Sequence, residues 1–279
     1  GNPNGMSNLR LKNKPRKGII GVTQPGAHFG DDAAAARLAR VLNEESAAMV
    51  AARPDRFGAF AVLPLPNVAA ALDEIRYAMT TLKMDGVGLL ASYNGVFLGD
   101  PVFDPVLALL NEMALPVLIH PALAPTSRQL TTNYPGFMAE FVIDTTRAVV
   151  HMIFTGVMER FPNIKFILSH AGGTIPFISW RLSMAPLIDP TRFGNRTPEW
   201  VMDQVRRFWF DTAISSGAQT FAALDVVADP SHVLFGSDWP YCPDAVAERA
   251  TAGLAALPDA RRRAIERDNA LALFPRLAG

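Results

Sequence analysis

Short apolar runs recur along the chain from residue 18 onward, and their lengths are those of buried strands. Between these runs, apolar residues recur three and four positions apart, which is the spacing of an amphipathic helix. Strands that alternate with helices in this way favour a parallel sheet in an α/β domain. The predicted strands occupy residues 18–23, 57–65, 85–91, 115–121, 163–170, 206–213 and 231–238. The predicted helices include 31–52, which begins at Asp31 or Asp32 as its cap, and 67–82, 145–160 and 217–228.

The alternation predicts one domain over residues 18–279, because no linker, repeat or change of composition divides that stretch. A distorted (β/α)8 barrel suits this length, although it needs eight strands and seven are found here. A doubly wound nucleotide-binding sheet is the alternative, but residues 21–30, GVTQPGAHFG, do not match its G-x-G-x-x-G turn. Residues 1–17 are basic and poor in apolar side chains, so we expect a flexible N-terminal arm or the remnant of a tag.

Composition excludes several classes of protein. The formal net charge is zero, which argues against a nucleic-acid partner. No apolar run approaches the roughly 18 residues that span a bilayer, so we expect no membrane partner. Cys242 is the single cysteine, which excludes an intrachain disulfide and a thiolate zinc cluster and favours a cytoplasmic location.

Metal-binding side chains stand at the ends of four different predicted strands: His120, His170, Asp211 and Asp238. In a barrel, the carboxyl ends of the strands form the face on which active sites are built. Two imidazoles and a carboxylate are a common ligand set for a catalytic zinc, which keeps one position open for water or substrate. We therefore predict that His120, His170 and Asp238 bind one divalent metal ion. His170 and Asp238 are also the predicted catalytic residues, and His170 is either a ligand or a general acid.

Each of these residues also has an ordinary structural interpretation. His120 and His170 could be hydrogen-bonded core histidines, and Asp238 could form a turn or cap a helix. Asp211 could cap the helix that follows its strand. His28, in PGAHFGD after the first strand, is predicted to lie at the mouth of the site and bind substrate, although histidines are common in loops.

Three stretches of the sequence resemble the amidohydrolase superfamily: VLIHP, GVMERFPNIKFILSHAGGTIPF and HVLFGSDWPY. They are most similar to the branch of aminocarboxymuconate semialdehyde decarboxylase and γ-resorcylate decarboxylase. The segments ARPDRFGAFAVLPLP, LGDPVFDPVLALLNEMALPV and RRRAIERDNALALFPRL agree with that branch as well. The resemblance covers roughly residues 18–276 and is specific because the motifs occur together, in order and at the right spacing.

The resemblance implies a distorted (β/α)8 barrel that holds one divalent metal ion, usually zinc. It implies that His120 and Asp238 are metal ligands. His170 is similar to the histidine that coordinates the metal in many amidohydrolases and acts as the acid-base group in the decarboxylase branch. Trp180 matches an aromatic residue near the substrate. The resemblance and the exposed edges of an incomplete barrel both favour a homodimer.

The sequence departs from this family at its first strand. Members of the branch begin with a strand that carries His-x-His or Glu-x-His and supplies two further ligands, and no His-x-His occurs in this chain. Residues 1–18 contain no His, Asp, Glu or Cys, so they cannot replace these ligands. Three explanations for the missing ligands remain open: a shortened gene product, a segment removed from the produced chain, or a decayed metal site. The metal is therefore expected to be weakly bound or absent.

Three functions remain open at this stage. The first is a metal-dependent, non-oxidative decarboxylase of a small aromatic or unsaturated carboxylate, with His170 as proton donor. The second is a metal-dependent hydrolase of an ester, lactone or amide, and the third is a barrel without catalysis. A decarboxylase needs a cationic clamp for the substrate carboxylate, for which Arg147 is the first candidate and Arg181 the second. A solvent-exposed arginine is the alternative at both positions.

Overall fold

The computed structural model describes residues 17–131 and 133–278, so the predicted arm over residues 1–17 lies outside it except for Lys17. In the described residues the strands are β1 Gly18–Ile20, β2 Phe57–Val62, β3 Gly86–Leu90, β4 Ser92–Tyr93, β5 Val96–Phe97, β6 Pro116–His120, β7 Lys165–Leu168, β8 Trp209–Asp211 and β9 Val233–Leu234. The helices are α1 Asp32–Ala52, α2 Val68–Thr80, α3 Asp104–Glu112, α4 Glu140–Phe154, α5 Val157–Arg160, α6 Ile175–Ile188, α7 Pro198–Arg206, α8 Ala218–Val227, α9 Asp244–Ala255, α10 Asp259–Arg263 and α11 Asn269–Leu273.

Seven of these strands form one parallel sheet in the order β1-β2-β3-β6-β7-β8-β9, so each predicted strand pairs with its neighbours in the chain. Helices connect successive strands, as the alternating pattern predicts. The β4–β5 hairpin, which pairs Ser92 with Phe97, interrupts this repeat and was not predicted. The carboxyl ends of all seven strands consequently lie along one edge of the sheet, and this edge carries the site.

Local sequence signals account for most helix ends. The side chain of Asp31 accepts a hydrogen bond from the Ala34 amide at 2.8 Å and caps α1, as predicted. Asn67 caps α2 in the same way through the Ala70 amide at 3.0 Å. The predicted helix over 145–160 is in fact two helices, because Gly156 adopts a left-handed φ of 75° between α4 and α5. The first of them, α4, begins five residues earlier than predicted, at Glu140.

The main core lies between the sheet and the helices that cover it. Its largest fully buried side chains are aromatic or aliphatic and include Phe103, Phe166, Phe208, Phe210, Ile75 and Leu107. Each such side chain contributes about 1.5–3 kcal/mol to folding through burial. This packing fixes the strand positions and therefore the positions of the residues at their ends. Among the described residues, no helix is both long and apolar enough to cross a membrane.

Candidate metal and catalytic site

His120, His170 and Asp238 converge at the carboxyl edge of the sheet. His120 is the last residue of β6, His170 follows β7 by two residues, and Asp238 follows β9 by four. One possible ligand atom from each residue lies within 4.8 Å of the others. The three strand-end residues that were predicted as ligands therefore meet at one place in the tertiary structure.

His120 is a neutral imidazole with a defined tautomer. The residue is 8% exposed, and its Nδ1 lies 2.8 Å from the carbonyl oxygen of Pro121. Burial, reinforced by repulsion from His170, lowers the pKa of His120 to about 4, so the ring is uncharged at neutral pH. Because a carbonyl oxygen only accepts hydrogen bonds, Nδ1 carries the proton. Nε2 therefore keeps its lone pair, which is the form of histidine that binds metal.

His170 lies in the opposite electrostatic environment. Burial lowers its pKa, but the nearby carboxylates of Asp238 and Asp211 outweigh that effect and raise the pKa above its usual value. Nε2 of His170 lies 3.9 Å from Oδ2 of Asp238, which is an ion-pair distance rather than a hydrogen bond. Nδ1 is buried and has no hydrogen-bond partner in the part of the chain that the structure describes. The surroundings therefore shift the two pKa values in opposite directions, upward for His170 and downward for its neighbour His120.

The backbone is strained around the same residues. His170, Ala171 and Asp238 each have a φ of 55°, a left-handed conformation that is uncommon for residues with a side chain. Such conformations cost about 1–3 kcal/mol each and concentrate at functional sites. Gly173 adjoins this segment, and a Cβ there would clash with the carbonyl oxygen of Val142 in α4. The loop after β7 is therefore pressed against α4, which holds His170 in place.

Asp238 is the most exposed of the three residues, and its side chain is 20% accessible to solvent. Its contact with His170 is the main reason that its pKa is lowered. The Cys242 thiol lies 3.5 Å from Oδ2 of Asp238 and donates to it. Burial and the charge of Asp238 raise the pKa of Cys242 to about 11, so this thiol is neutral, as expected for an ordinary free cysteine.

Asp211 stands at the end of β8 and supports the site without joining the three-residue cluster. Its Oδ1 accepts hydrogen bonds from the backbone amides of His170 and Ala213, both at 2.9 Å. The carboxylate therefore holds the strained loop that carries His170. In the structure its side chain caps no helix, since the next helix, α8, is preceded by Gly217 and has no side-chain cap.

A cavity of about 380 Å³ opens over the cluster and is of a size that suits a small organic ligand. His120, His170, Asp211 and Asp238 supply polar groups to its lining. Its apolar walls include Phe60, Leu118, Ile167, Leu234 and Phe274. An apolar cavity with a few converging polar groups strengthens their electrostatic interactions by excluding water.

The predicted substrate-binding residues lie elsewhere in the described part of the chain. Arg147 is exposed on α4, Trp180 is 73% exposed on α6, and neither lines the 380 Å³ cavity. His28 lines a second cavity of about 410 Å³, formed by the loop after β1 and the β4–β5 turn. Its Nε2 lies 2.8 Å from Oδ1 of Asp32, and its Nδ1 accepts from the Gly30 amide at 3.3 Å. The substrate-binding roles of all three residues stay predictions.

Sequence reasoning missed Asp144, a fully buried carboxylate on α4. Its Oδ2 accepts a hydrogen bond of 2.7 Å from the backbone amide of Ala122, two residues after His120. The signal was present in the helix pattern, because Asp144 precedes the buried Ala148 by one helical turn and so occupies a core position. A carboxylate on the apolar face of a helix indicates a specific polar partner.

Comparison with known proteins agrees with the geometry. The amidohydrolase family model matches residues 18–276. A 6-methylsalicylic acid decarboxylase from Penicillium expansum is 42% identical over 268 residues, which cover 94% of this chain and 82% of the relative. A γ-resorcylate decarboxylase from Rhizobium sp. is 27% identical over 239 residues, covering 80% of this chain and 72% of the relative.

Solved structures give the same result for the fold. The crystal structure of a 5-carboxyvanillate decarboxylase from Sphingomonas paucimobilis matches with a TM-score of 0.82 and 29% identity, covering 93% of this chain and 79% of that chain. The predicted distorted (β/α)8 barrel is confirmed by this match together with the sheet order. The resemblance to the decarboxylase branch is likewise confirmed by the named relatives.

Proposed function

The chain belongs to the amidohydrolase family, and we propose that it is a metal-dependent, non-oxidative decarboxylase of a small aromatic carboxylate. The convergence of His120, His170 and Asp238 in one apolar cavity carries the proposal. The relatives named as decarboxylases support the reaction, and the aromatic carboxylates in their names support the class of substrate.

The donor set suits a divalent cation. His120 offers an unprotonated Nε2 and Asp238 offers an ionised carboxylate, both within reach of one point in the cavity. Nitrogen and oxygen donors of this kind bind zinc, which we propose as the resident metal ion. When bound, the cation supplies a positive charge that attracts and orients the substrate carboxylate.

We assign His170 to proton transfer. The bond between the ring carbon and the carboxylate breaks, CO₂ leaves, and the bonding electron pair remains on the ring carbon. The imidazolium of His170 then donates its proton to that carbon and is reprotonated from solvent. Asp238 stabilises the charged imidazole before transfer, and Asp211 holds its backbone. The alternative, in which His170 completes a three-ligand zinc set, makes the opposite prediction for the metal content of a His170→Gln variant.

Purified chain loaded with zinc is expected to release CO₂ from an ortho-hydroxylated benzoate. The panel for a CO₂ assay is 6-methylsalicylate, 2,6-dihydroxybenzoate and 5-carboxyvanillate, with the metal-free protein as a control. Release that depends on metal supports the proposal. A folded protein that binds zinc and converts no member of this panel, or that hydrolyses an ester or lactone instead, contradicts it.

We infer further that the protein forms a homodimer through α6. Four large apolar side chains of this helix are more than half exposed, and their spacing puts them on one face. They are Phe177 at 87%, Trp180 at 73%, Leu187 at 62% and Ile188 at 81% exposure. A contiguous apolar face of this kind marks a contact surface in an ordinary soluble domain. In a single chain the large apolar side chain of Trp180 is exposed to water. A partner on this face would cover it.

A Trp180→Glu variant is therefore expected to sediment as a monomer at concentrations at which the parent chain is a dimer. The charge would have to be buried against an apolar surface, which costs several kcal/mol. Val226→Glu is the matched control, because Val226 is equally exposed but lies on α8. Sedimentation velocity measures the outcome. A Trp180→Glu protein that remains dimeric, or a parent chain that is monomeric, contradicts a dimer through α6.

A further inference from the structure

A single peptide group lies behind His120 and connects it to another helix. The carbonyl oxygen of Pro121 accepts the proton of His120 Nδ1 at 2.8 Å. The N–H of Ala122 belongs to the same peptide unit and donates to Oδ2 of Asp144 at 2.7 Å. Because this peptide is trans, its N–H and its carbonyl point in opposite directions. One end of the peptide therefore contacts His120 and the other end contacts Asp144.

Packing alone does not require a carboxylate at position 144. The side chain of Asp144 is fully buried, and the neighbouring residues on the same helix face, Ala148 and Met152, are apolar. Burial raises the pKa of Asp144, because its charge is removed from water. Within the described residues it forms no salt bridge, and its second contact is with the Ser92 hydroxyl at 3.3 Å. The charge of Arg147 offsets only part of the effect of burial on this pKa. Burying a carboxylate without an ion-pair partner is costly, so the hydrogen bond to the Ala122 amide stabilises it.

The geometry points to Asp144 as a positioning residue that orients His120 for metal binding through the Pro121–Ala122 peptide. This inference rests on the proposed function, since it takes His120 as a metal ligand. Fixing the N–H of the peptide fixes the direction of its carbonyl, which in turn fixes the plane and the tautomer of the imidazole. A carboxylate that accepts from the N–H also polarises the peptide and strengthens the bond at its carbonyl end. Nε2 is thereby held unprotonated and aimed into the cavity.

Zinc affinity tests this role. An Asp144→Asn variant keeps the size of the side chain but replaces the carboxylate with an amide, which weakens or misaligns the bond to Ala122. Loss of a partner that orients a ligating histidine costs about 10–100-fold in metal affinity, and we expect a loss in this range. The control is Asp85→Asn, because Asp85 is also a buried carboxylate and accepts from the Ala59 amide at 2.8 Å. Unlike Asp144, it also forms a salt bridge with Arg276. Zn²⁺ titration against a chromophoric chelator measures each dissociation constant.

The outcomes separate this inference from the proposed function. Unchanged zinc affinity in Asp144→Asn overturns the role of Asp144 and leaves the metal site standing. Equal losses in Asp144→Asn and Asp85→Asn also overturn it, since they would reflect general destabilisation. Absence of zinc binding by the parent chain contradicts the proposed metal site itself.

A second measurement needs no metal. Ring ¹⁵N shifts of His120 in the metal-free parent chain are expected to show the proton on Nδ1 alone. In Asp144→Asn, a measurable fraction of the Nε2-protonated tautomer should appear. A parent chain in which His120 carries its proton on Nε2 overturns the inference, even if the Asp144→Asn protein does not fold.

Discussion

His120→Ala and Asp238→Ala are each expected to remove bound zinc and to lower decarboxylation by about a thousandfold or more. A metal ion contributes several kcal/mol of charge stabilisation, and each 1.36 kcal/mol is a factor of ten in rate. His120 supplies an imidazole whose pKa is lowered to about 4, and Asp238 supplies the carboxylate of the cluster. We expect no neighbour to replace either residue, because the pKa of the third member, His170, is raised rather than lowered.

Elemental analysis of each purified variant, together with its rate of CO₂ release, measures both effects. His232→Ala is the matched control. This histidine stacks on Trp209 with ring centroids 4.1 Å apart and lies at the amino end of β9, away from the cluster. We expect His232→Ala to retain zinc and activity. One equivalent of zinc in His120→Ala, with the activity of the parent chain, would contradict the assignment of this ligand.

His170→Gln is expected to lower kcat by about 10²–10⁴-fold while the protein keeps its zinc. A positioned general acid contributes a rate factor in this range. Glutamine keeps a polar side chain at this position but cannot act as a general acid. The donor must be protonated at the start of the reaction. The carboxylates of Asp238 and Asp211 raise the pKa of His170 in the metal-free chain. The rate of the parent chain should fall as the pH rises through the pKa of His170.

Metal content and the pH profile of kcat distinguish the two roles of His170. Loss of zinc in His170→Gln would make His170 the third ligand and remove it as the proton donor. A variant that keeps both zinc and turnover would show that the proton comes from another group. If His170→Gln keeps its turnover, its rate should still fall at high pH, because the other group would then be the proton donor.

The apolar pattern predicted the strands well because buried parallel strands are continuous apolar segments. Each of the seven runs contains a strand of the sheet, and the strands pair in chain order. The β4–β5 hairpin was missed, since each of its strands has only two residues and leaves no periodic signal. The early start of α4 at Glu140 was missed for a related reason, because its first turn carries no capping side chain.

The ligand candidates were predictable from position alone. His120, His170 and Asp238 each follow an apolar strand, and parallel strands bring their carboxyl ends to one edge of the sheet. Their supporting carboxylates were not predictable in this way. Asp144 and Asp211 act on backbone amides 22 and 41 residues distant in sequence, so their partners exist only after the strands and α4 have packed.

The sequence by itself determined the order of the strands, the edge of the sheet that carries the candidate site and the residue types present there, because all three depend on local patterns. The tertiary structure decided how the two histidines differ. Both are buried to a similar extent, but His120 faces a carbonyl and a second histidine, whereas His170 faces two carboxylates. Protonation depends on the charges that folding brings within a few ångströms, and no spacing along the chain specifies them.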